Sequence, residues 1–196
     1  MRKGYQKISL LNYPIMKKKL LKIALMFAVS LTCQEVAAQK IGLKDIQGMT
    51  RKTLASIQSE MIAQDFSIAN IFNDKLSATD SVVFKYGNSI YLSYKSKKKT
   101  EGATVSYSFP FKDLYINYCK VLESKSYMLL HTSAIPSLGL ENIYYDKEQG
   151  QVLSLTLRHE SAEDKTFYPS TYTLKVLSAD DAAKLLKKHK IKLTAL

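Results

Sequence analysis

The feature that most constrains the fold is a pair of alternating apolar and polar runs at residues 81–86 and 90–95, separated by Gly87-Asn88-Ser89. Such runs around a Gly-Asn turn predict a β-hairpin. The alternation also decides the loop length, because successive side chains of a strand point to opposite faces. A two-residue loop would place serines on the face of the large apolar side chains, whereas a three-residue loop collects every large apolar side chain on one face. We therefore predict a three-residue loop that pairs Tyr86 with Ile90, Phe84 with Leu92 and Val82 with Tyr94.

The rest of the chain contains similar local patterns. Apolar residues at helical spacing predict helices at 44–64 and 111–124, and Ser178 followed by two aspartates predicts the N-cap of a last helix. Further strands are predicted where β-branched and aromatic residues alternate. These strands span residues 103–109, 127–131, 142–145, 151–159 and 171–177, and residues 133–140 are predicted to form a loop. Residues 66–72 form a short apolar piece that we assign to no element.

The predicted elements occur twice in the same order. Residues 81–124 and residues 141–190 both give strand, turn, strand, polar loop, strand and helix. A helix needs an apolar sheet face to cover, and consecutive strands tend to be neighbours. The predicted fold class is therefore α+β, an antiparallel sheet of about six to eight strands with two or three helices packed on one face. The repeated order suggests two tandem βββα units, and over residues 44–190 it resembles the beta-lactamase-inhibitor-like and PepSY-like secreted modules.

An export signal is predicted near the start of the chain. Four lysines between residues 17 and 22 precede an apolar run at 23–31, and small residues then place a cleavage site between Ala38 and Gln39. We expect residues 1–38 to be removed and residues 39–196 to form a single α+β domain. The expected destination is the periplasm or the extracellular side of a Gram-negative bacterial envelope.

Two other interpretations of this segment are weaker. The apolar run is about half as long as a helix that spans a bilayer, which disfavours an anchor. A lipid on Cys33 is disfavoured because Ser30 and Thr32 match the lipid-attachment pattern badly. Residues 1–15 are interpreted as a mis-called start before Met16 or as an extension of the basic region.

Removal of the leader changes the interpretation of the charge. The whole chain carries 29 basic and 17 acidic residues, a formal net charge of +12. The predicted leader holds seven of these bases and one of the acids, which leaves 22 bases, 16 acids and a net charge of +6. High basicity favours a nucleic-acid partner, but half of the excess belongs to the leader, and we predict no nucleic-acid binding. A membrane is expected only as the export route or as a peripheral contact.

The side of the predicted sheet that lies away from the core carries hydroxyls and cations, and we name it the polar face. Its members are Val83, Lys85, Tyr91, Ser93, Lys95, Thr104, Ser106, Ser154, Thr156, Arg158, Thr171, Thr173 and Lys175. Serine and threonine suit the solvated side of any antiparallel sheet, so an ordinary wet face is one interpretation. The other is a broad docking surface for a protein, a peptide or a glycan. The candidate binding residues are Lys85, Tyr91, Lys95, Thr104, Ser154, Arg158 and Lys175.

The sequence predicts no catalytic, cofactor-binding or metal site. Cys119 falls on the apolar stripe of its predicted helix, where a buried and inert thiol is expected. The three histidines lack the spacing of a metal motif, and the acids at 146–148 and 160–164 lie in predicted loops. Since Cys119 is the single cysteine after the leader, we also expect no intramolecular disulfide.

These observations favour an exported, non-enzymatic module that binds its partner through the polar face. One alternative is a small secreted hydrolase or thiol enzyme whose site residues are not adjacent in sequence. The other alternative is a structural or assembly factor of the cell envelope.

Overall fold

Eight strands form a single antiparallel sheet in the computed structural model, which describes residues 41–74, 78–97, 102–135, 139–159 and 170–193. The strands are β1 (Ser67–Asp74), β2 (Thr79–Tyr86), β3 (Ile90–Lys97), β4 (Ala103–Phe109), β5 (Tyr127–Ile135), β6 (Gly139–Asp146), β7 (Gln151–His159) and β8 (Ser170–Val176). The helices within these ranges are α1 (Leu43–Met49), α2 (Leu54–Ala63), α3 (Lys112–Leu122) and α4 (Ala179–Lys188). The predicted cleavage site at Ala38 and Gln39 and the acidic residues at 160–164 lie outside the described residues.

The strand order confirms the α+β class and the antiparallel sheet. The order is β1-β2-β3-β4-β8-β7-β6-β5, so two four-stranded meanders lie side by side and meet where β4 pairs with β8. A helix follows each meander, α3 after the first and α4 after the second. The repeated order of elements is therefore present, but each half contains four strands instead of the predicted three.

The predicted three-residue hairpin loop is confirmed. Tyr86 pairs with Ile90, Phe84 with Leu92 and Val82 with Tyr94. Gly87 has a φ of 57°, a left-handed conformation that glycine adopts without the steric penalty of a side chain. The hairpin register thus follows from the alternation of side chains together with one permissive turn residue.

The core lies on the apolar face of the sheet. One row of side chains crosses β3, β4, β8 and β7 in register and is fully buried: Leu92, Tyr107, Leu174 and Leu155. α1 contacts β4 and α3 contacts β8, and Tyr115 of α3 stacks on Tyr172 of β8 with ring centroids 4.7 Å apart. Burial raises the pKa of Tyr107 to about 12, so its phenol stays neutral in the core.

The predicted helix at 44–64 is two helices. Residues between Met49 and Leu54 form a turn in which the N–H groups of Arg51 and Lys52 donate to the carbonyls of Gly48 and Met49. Thr53 then begins α2 as its N-cap, and its side chain accepts a hydrogen bond from the N–H of Ser56. A threonine at this position favours a new helix start over continuation of the first helix.

Both edge strands differ from prediction. Residues 66–72, which we assigned to no element, form most of β1, a strand whose residues are all exposed. β5 continues to Ile135, although residues 133–140 were predicted to form a loop. A register shift interrupts each strand, between Ile68 and Asn70 in β1 and between Leu129 and His131 in β5. A bulge moves the alternation of side chains by one residue, which conceals such a strand from a two-residue periodicity.

A buried amide fixes α1 to the end of the sheet. Gln47 is 3% exposed, and its Nε2 donates to Asp146 Oδ2 at 2.6 Å and to Gln151 Oε1 at 3.2 Å. Asp146 Oδ1 accepts the backbone N–H groups of Glu148 and Gln149 at 2.8 and 3.0 Å. We predicted that Asp146 is an exposed acid in a turn, and this prediction is wrong. Asp146 is 2% exposed and connects the turn to α1.

α4 packs on the polar face. This position was not predicted, because we expected the helices to pack on one face of the sheet only. Leu185 and Leu186 of α4 pack against a buried cluster that includes Ala182, Ile143 and Val152. Ile143 pairs with Ser154, and directly paired residues point to the same side of a sheet. The polar face therefore has an apolar end, and α4 covers it.

The contact between Gln47 and Asp146 gives a test of the packing of α1. We expect Gln47→Leu to lower the free energy of unfolding by about 1–3 kcal/mol, because a buried carboxylate oxygen loses its side-chain donor. Urea unfolding followed by circular dichroism measures the change.

The control is Gln64→Leu, which changes an exposed glutamine next to α2 in the same way. It should alter stability by less than about 0.5 kcal/mol. An equal effect of the two substitutions would show that the buried amide does not fix α1.

Candidate functional site

A cleft of about 400 Å³ lies between α4 and the polar face of the sheet, and we name it the α4 cleft. The sheet forms its floor and α4 forms one wall. Its lining consists of Ser93, Lys95, Thr104, Ser106, Glu141, Ser154, Lys175, Leu177, Asp181, Lys184, Leu185 and Lys188. The volume falls in the range of about 300–1,000 Å³ that is typical of pockets for small ligands.

Strand register builds the floor of the α4 cleft. Ser93 pairs with Ser106, Ser106 with Lys175, and Lys175 with Ser154. These four residues therefore form one row across β3, β4, β8 and β7 and point to the same side. Lys175 lies between two serines on a central strand, so this row presents one cation flanked by hydroxyl groups.

Helical spacing builds the wall. Asp181, Lys184, Leu185 and Lys188 follow one another at intervals that place side chains on one side of a helix. Ser178 is the N-cap, as predicted, and its side chain accepts the N–H of Asp181 at 3.3 Å.

Thr104 of β4 fixes the first turn of α4 to the sheet. Its Oγ1 donates to Asp181 Oδ2 at 2.7 Å and accepts the N–H of Ser178 at 3.1 Å. The wall therefore begins at a defined point above the floor.

Cations outnumber acids in the lining of the α4 cleft. Four lysines face two carboxylates, and both carboxylates already accept hydrogen bonds from hydroxyl groups. Glu141 accepts one from Ser154 at 2.7 Å, and Asp181 accepts the one from Thr104. Within the described ranges, Lys95, Lys175 and Lys188 form no ion pair. The cleft therefore carries positive charge that the described residues leave unneutralised.

Two lysines share the carboxylates of the first turn of α4. Lys97 Nζ lies 3.3 Å from Asp180 Oδ2 and 3.8 Å from Asp181 Oδ1, and Lys184 Nζ lies 3.9 Å from Asp181 Oδ1. The pKa of Lys97 is raised by its contacts with Lys184 and with the carboxylate of Asp180. The same contact with Lys97 lowers the pKa of Lys184. The acids at this end of the cleft therefore already form ion pairs with lysines of the protein itself.

The structure brings four of the seven candidate binding residues together. The four that line the α4 cleft are Lys95, Thr104, Ser154 and Lys175. Lys85 and Tyr91 pair with each other elsewhere on the polar face. Arg158 pairs with Thr171 near the start of β8. The binding role of all seven residues stays a prediction.

Sequence reasoning missed the wall of the cleft. Lys184, Leu185 and Lys188 have the spacing of one helix face, and this signal was available in the sequence. The face on which α4 packs was not predictable from the helix alone, because Ile143 and Val152 on two other strands determine it.

A second cavity of about 400 Å³ lies at the end of the sheet, lined by Thr50, Arg51, Gln151 and the start of α4. Among the described residues of this lining, Arg51 is the single charged one. The second cavity offers fewer groups that could fix a ligand than the α4 cleft does, so the α4 cleft is the stronger candidate.

The thiol and the described histidine side chains do not form a catalytic pair. Cys119 lies on α3, which packs on the apolar face, whereas His131 pairs with Ile143 and points to the polar face. Burial raises the pKa of the Cys119 thiol by more than its hydrogen bond with Tyr115 lowers it. The ring of His131 contacts His189 at the C-cap of α4, with centroids 4.7 Å apart, which adds to the packing of α4 on the sheet.

Neither a metal cluster nor a membrane span adds a candidate site in the described part of the chain. In the described part of the chain, no three His, Cys, Asp or Glu side chains are grouped so that they could hold a metal ion. In the same part, no helix has the length and hydropathy to cross a bilayer. No protein-family model, curated protein or solved structure gives a significant match to the chain.

The environment of Cys119 gives a test of the thiol-enzyme alternative. We expect iodoacetamide to alkylate Cys119 slowly in the native protein at neutral pH, because the thiolate is the reactive form and a raised pKa leaves little of it. The rate should rise to that of a free thiol after unfolding in urea. Peptide mass spectrometry assigns the adduct to Cys119, and rapid native alkylation would support the enzyme alternative instead.

Proposed function

We propose that this protein is an exported, non-enzymatic module that binds a protein, a peptide or a glycan through the α4 cleft. The observation that supports the proposal is the row of Ser106, Lys175 and Ser154 on the floor opposite the lysines of α4. Ammonium and hydroxyl groups held on four neighbouring strands and one helix provide the fixed polar contacts that orient a ligand.

The chemistry of the cleft suits binding better than hydrolysis. A hydrolase with a serine or cysteine nucleophile needs a general base within hydrogen-bond reach of that nucleophile. The carboxylates of Glu141 and Asp181 accept hydrogen bonds from hydroxyl groups of Ser154 and Thr104, which hold them in structural contacts. Cys119 lies on the other side of the sheet. These contacts favour a binding role for the polar face.

Export is supported by the predicted leader at residues 1–38 and is tested separately. Mass spectrometry of the protein recovered from the periplasm or the culture medium should find Gln39, or its cyclised form, at the N-terminus. An N-terminus at Met1 or Met16, or a lipid on Cys33, would overturn this part of the proposal.

Binding at the α4 cleft is tested on arrays of peptides and glycans probed with the exported protein. We expect the wild type to bind a subset of the array. The double variant Lys95→Ala/Lys175→Ala should bind that subset at least about tenfold more weakly, because one hydrogen bond to a charged group contributes about 1.5–3 kcal/mol. Surface plasmon resonance then gives the Kd for each bound ligand.

The matched control is the double variant Lys112→Ala/Lys120→Ala. Both lysines are exposed on α3, which packs on the other side of the sheet, and their loss changes the net charge equally. This variant should keep the wild-type affinity. The proposal fails if the two double variants bind equally well, or if the wild type binds nothing.

A further inference from the structure

In the described part of the chain, the cations that line the α4 cleft are all lysines, namely Lys95, Lys175, Lys184 and Lys188. An arginine matches a planar carboxylate through two parallel hydrogen bonds, whereas a lysine acts as a point charge and suits a phosphate group. The lining therefore favours a compact oxyanion with oxygens in several directions over a carboxylate.

Lys175 is the centre of the anion-binding argument. It is half-buried on β8 between Ser106 and Ser154, and no carboxylate pairs with it in the described ranges. A partly desolvated ammonium group without a partner lowers the stability of the fold. A sulfate or phosphate over the floor would neutralise it and accept a hydrogen bond from Ser106, whereas the hydroxyl of Ser154 already donates to Glu141.

The backbone of the floor favours a saccharide over an extended peptide as the carrier of that anion. β3, β4, β7 and β8 each have a neighbouring strand on both sides, so their N–H and C=O groups are used within the sheet. A peptide strand would find no free edge there for its own backbone groups. The half-buried hydroxyls of Ser93 and Ser106 remain, and hydroxyl groups of a sugar can exchange hydrogen bonds with them.

We infer that the α4 cleft binds a sulfate or phosphate group carried by a saccharide. This inference rests on the proposed function of the cleft and names the class of ligand. The anion lies over Lys175 between the floor and the lysines of α4, and the sugar contacts the row of serines.

Isothermal titration calorimetry at constant ionic strength tests the inference with defined probes. The probes are dextran sulfate, phosphomannan, unmodified dextran, poly-glutamate, inorganic sulfate and inorganic phosphate. We expect dextran sulfate or phosphomannan to bind at least about tenfold more tightly than dextran, poly-glutamate and the inorganic ions. Dextran lacks the anion, poly-glutamate lacks the geometry of a sulfate or phosphate, and the inorganic ions lack the sugar.

Two double variants locate the binding site. Lys175→Gln/Lys188→Gln should weaken binding at least about tenfold, since it removes a cation from the floor and one from the wall. Lys112→Gln/Lys120→Gln on α3 removes the same charge and should bind like the wild type. Thermal melting checks the fold of each variant, and the single variant Lys188→Gln changes only an exposed side chain, so it should bind more weakly even if the double variant unfolds.

The outcomes separate this inference from the proposed function. Equal binding of poly-glutamate or of an inorganic ion would exclude a saccharide-borne sulfate or phosphate, and so would equal losses in the two double variants. If only neutral sugars or peptides bind and the cleft variant abolishes that binding, the inference is wrong and the proposed function stands. If neither these probes nor the arrays show binding, both are wrong.

Discussion

The pairing of β4 with β8 determines both faces of the sheet, because it joins two meanders that otherwise share no strand pair. Tyr107 pairs with Leu174, and the adjacent pair is Ser106 with Lys175. Side chains alternate between the faces, so the register that buries Leu174 in the core also places Lys175 on the polar face. A shift of one residue would bury the lysine and expose the leucine. The core and the floor of the α4 cleft therefore depend on one register.

The position of α4 results from packing at one end of the polar face. Leu185 and Leu186 pack against the cluster that contains Ile143, and apolar burial of this kind contributes about 1.5–3 kcal/mol for each large side chain that is fully buried. The C-terminal turn extends this contact: Lys190 has a φ of 56°, and the N–H of Ile191 donates to the carbonyl of Leu186 at 2.9 Å, a Schellman-type ending. These contacts hold α4 from the side of the cluster, so the lysines on its other side need not pair with the sheet.

The sequence predicted those features whose signals are local. The hairpin around Gly87 and the N-cap at Ser178 follow from alternation and capping chemistry, and both are confirmed. β1 and β5 were missed or shortened because bulges interrupt their alternation, and α1 and α2 were merged because the new start at Thr53 lies within one continuous apolar spacing. Only one part of the α4 cleft could be predicted from the sequence. Its floor follows from the alternation of side chains along the strands. Its wall depends on apolar residues of β6 and β7, and only the pairing of the strands shows that these residues lie on the polar face.

Two opposing forces act between the wall and the floor of the α4 cleft. The apolar cluster draws α4 toward the sheet, whereas the lysines without an ion pair among the described residues, Lys188 on the wall and Lys95 and Lys175 on the floor, repel one another. Salt screens such repulsion beyond about 8 Å at physiological ionic strength, so it acts only between lysines that lie closer together than this. An anion bound between wall and floor would convert this repulsion into attraction on both sides. By linkage, a ligand that binds only when α4 is docked must strengthen the docking by the same free energy that docking adds to its affinity. If the cleft binds an anion, the lysines that form no ion pair with the described residues would thus lower the stability of the empty fold and raise its affinity for that anion.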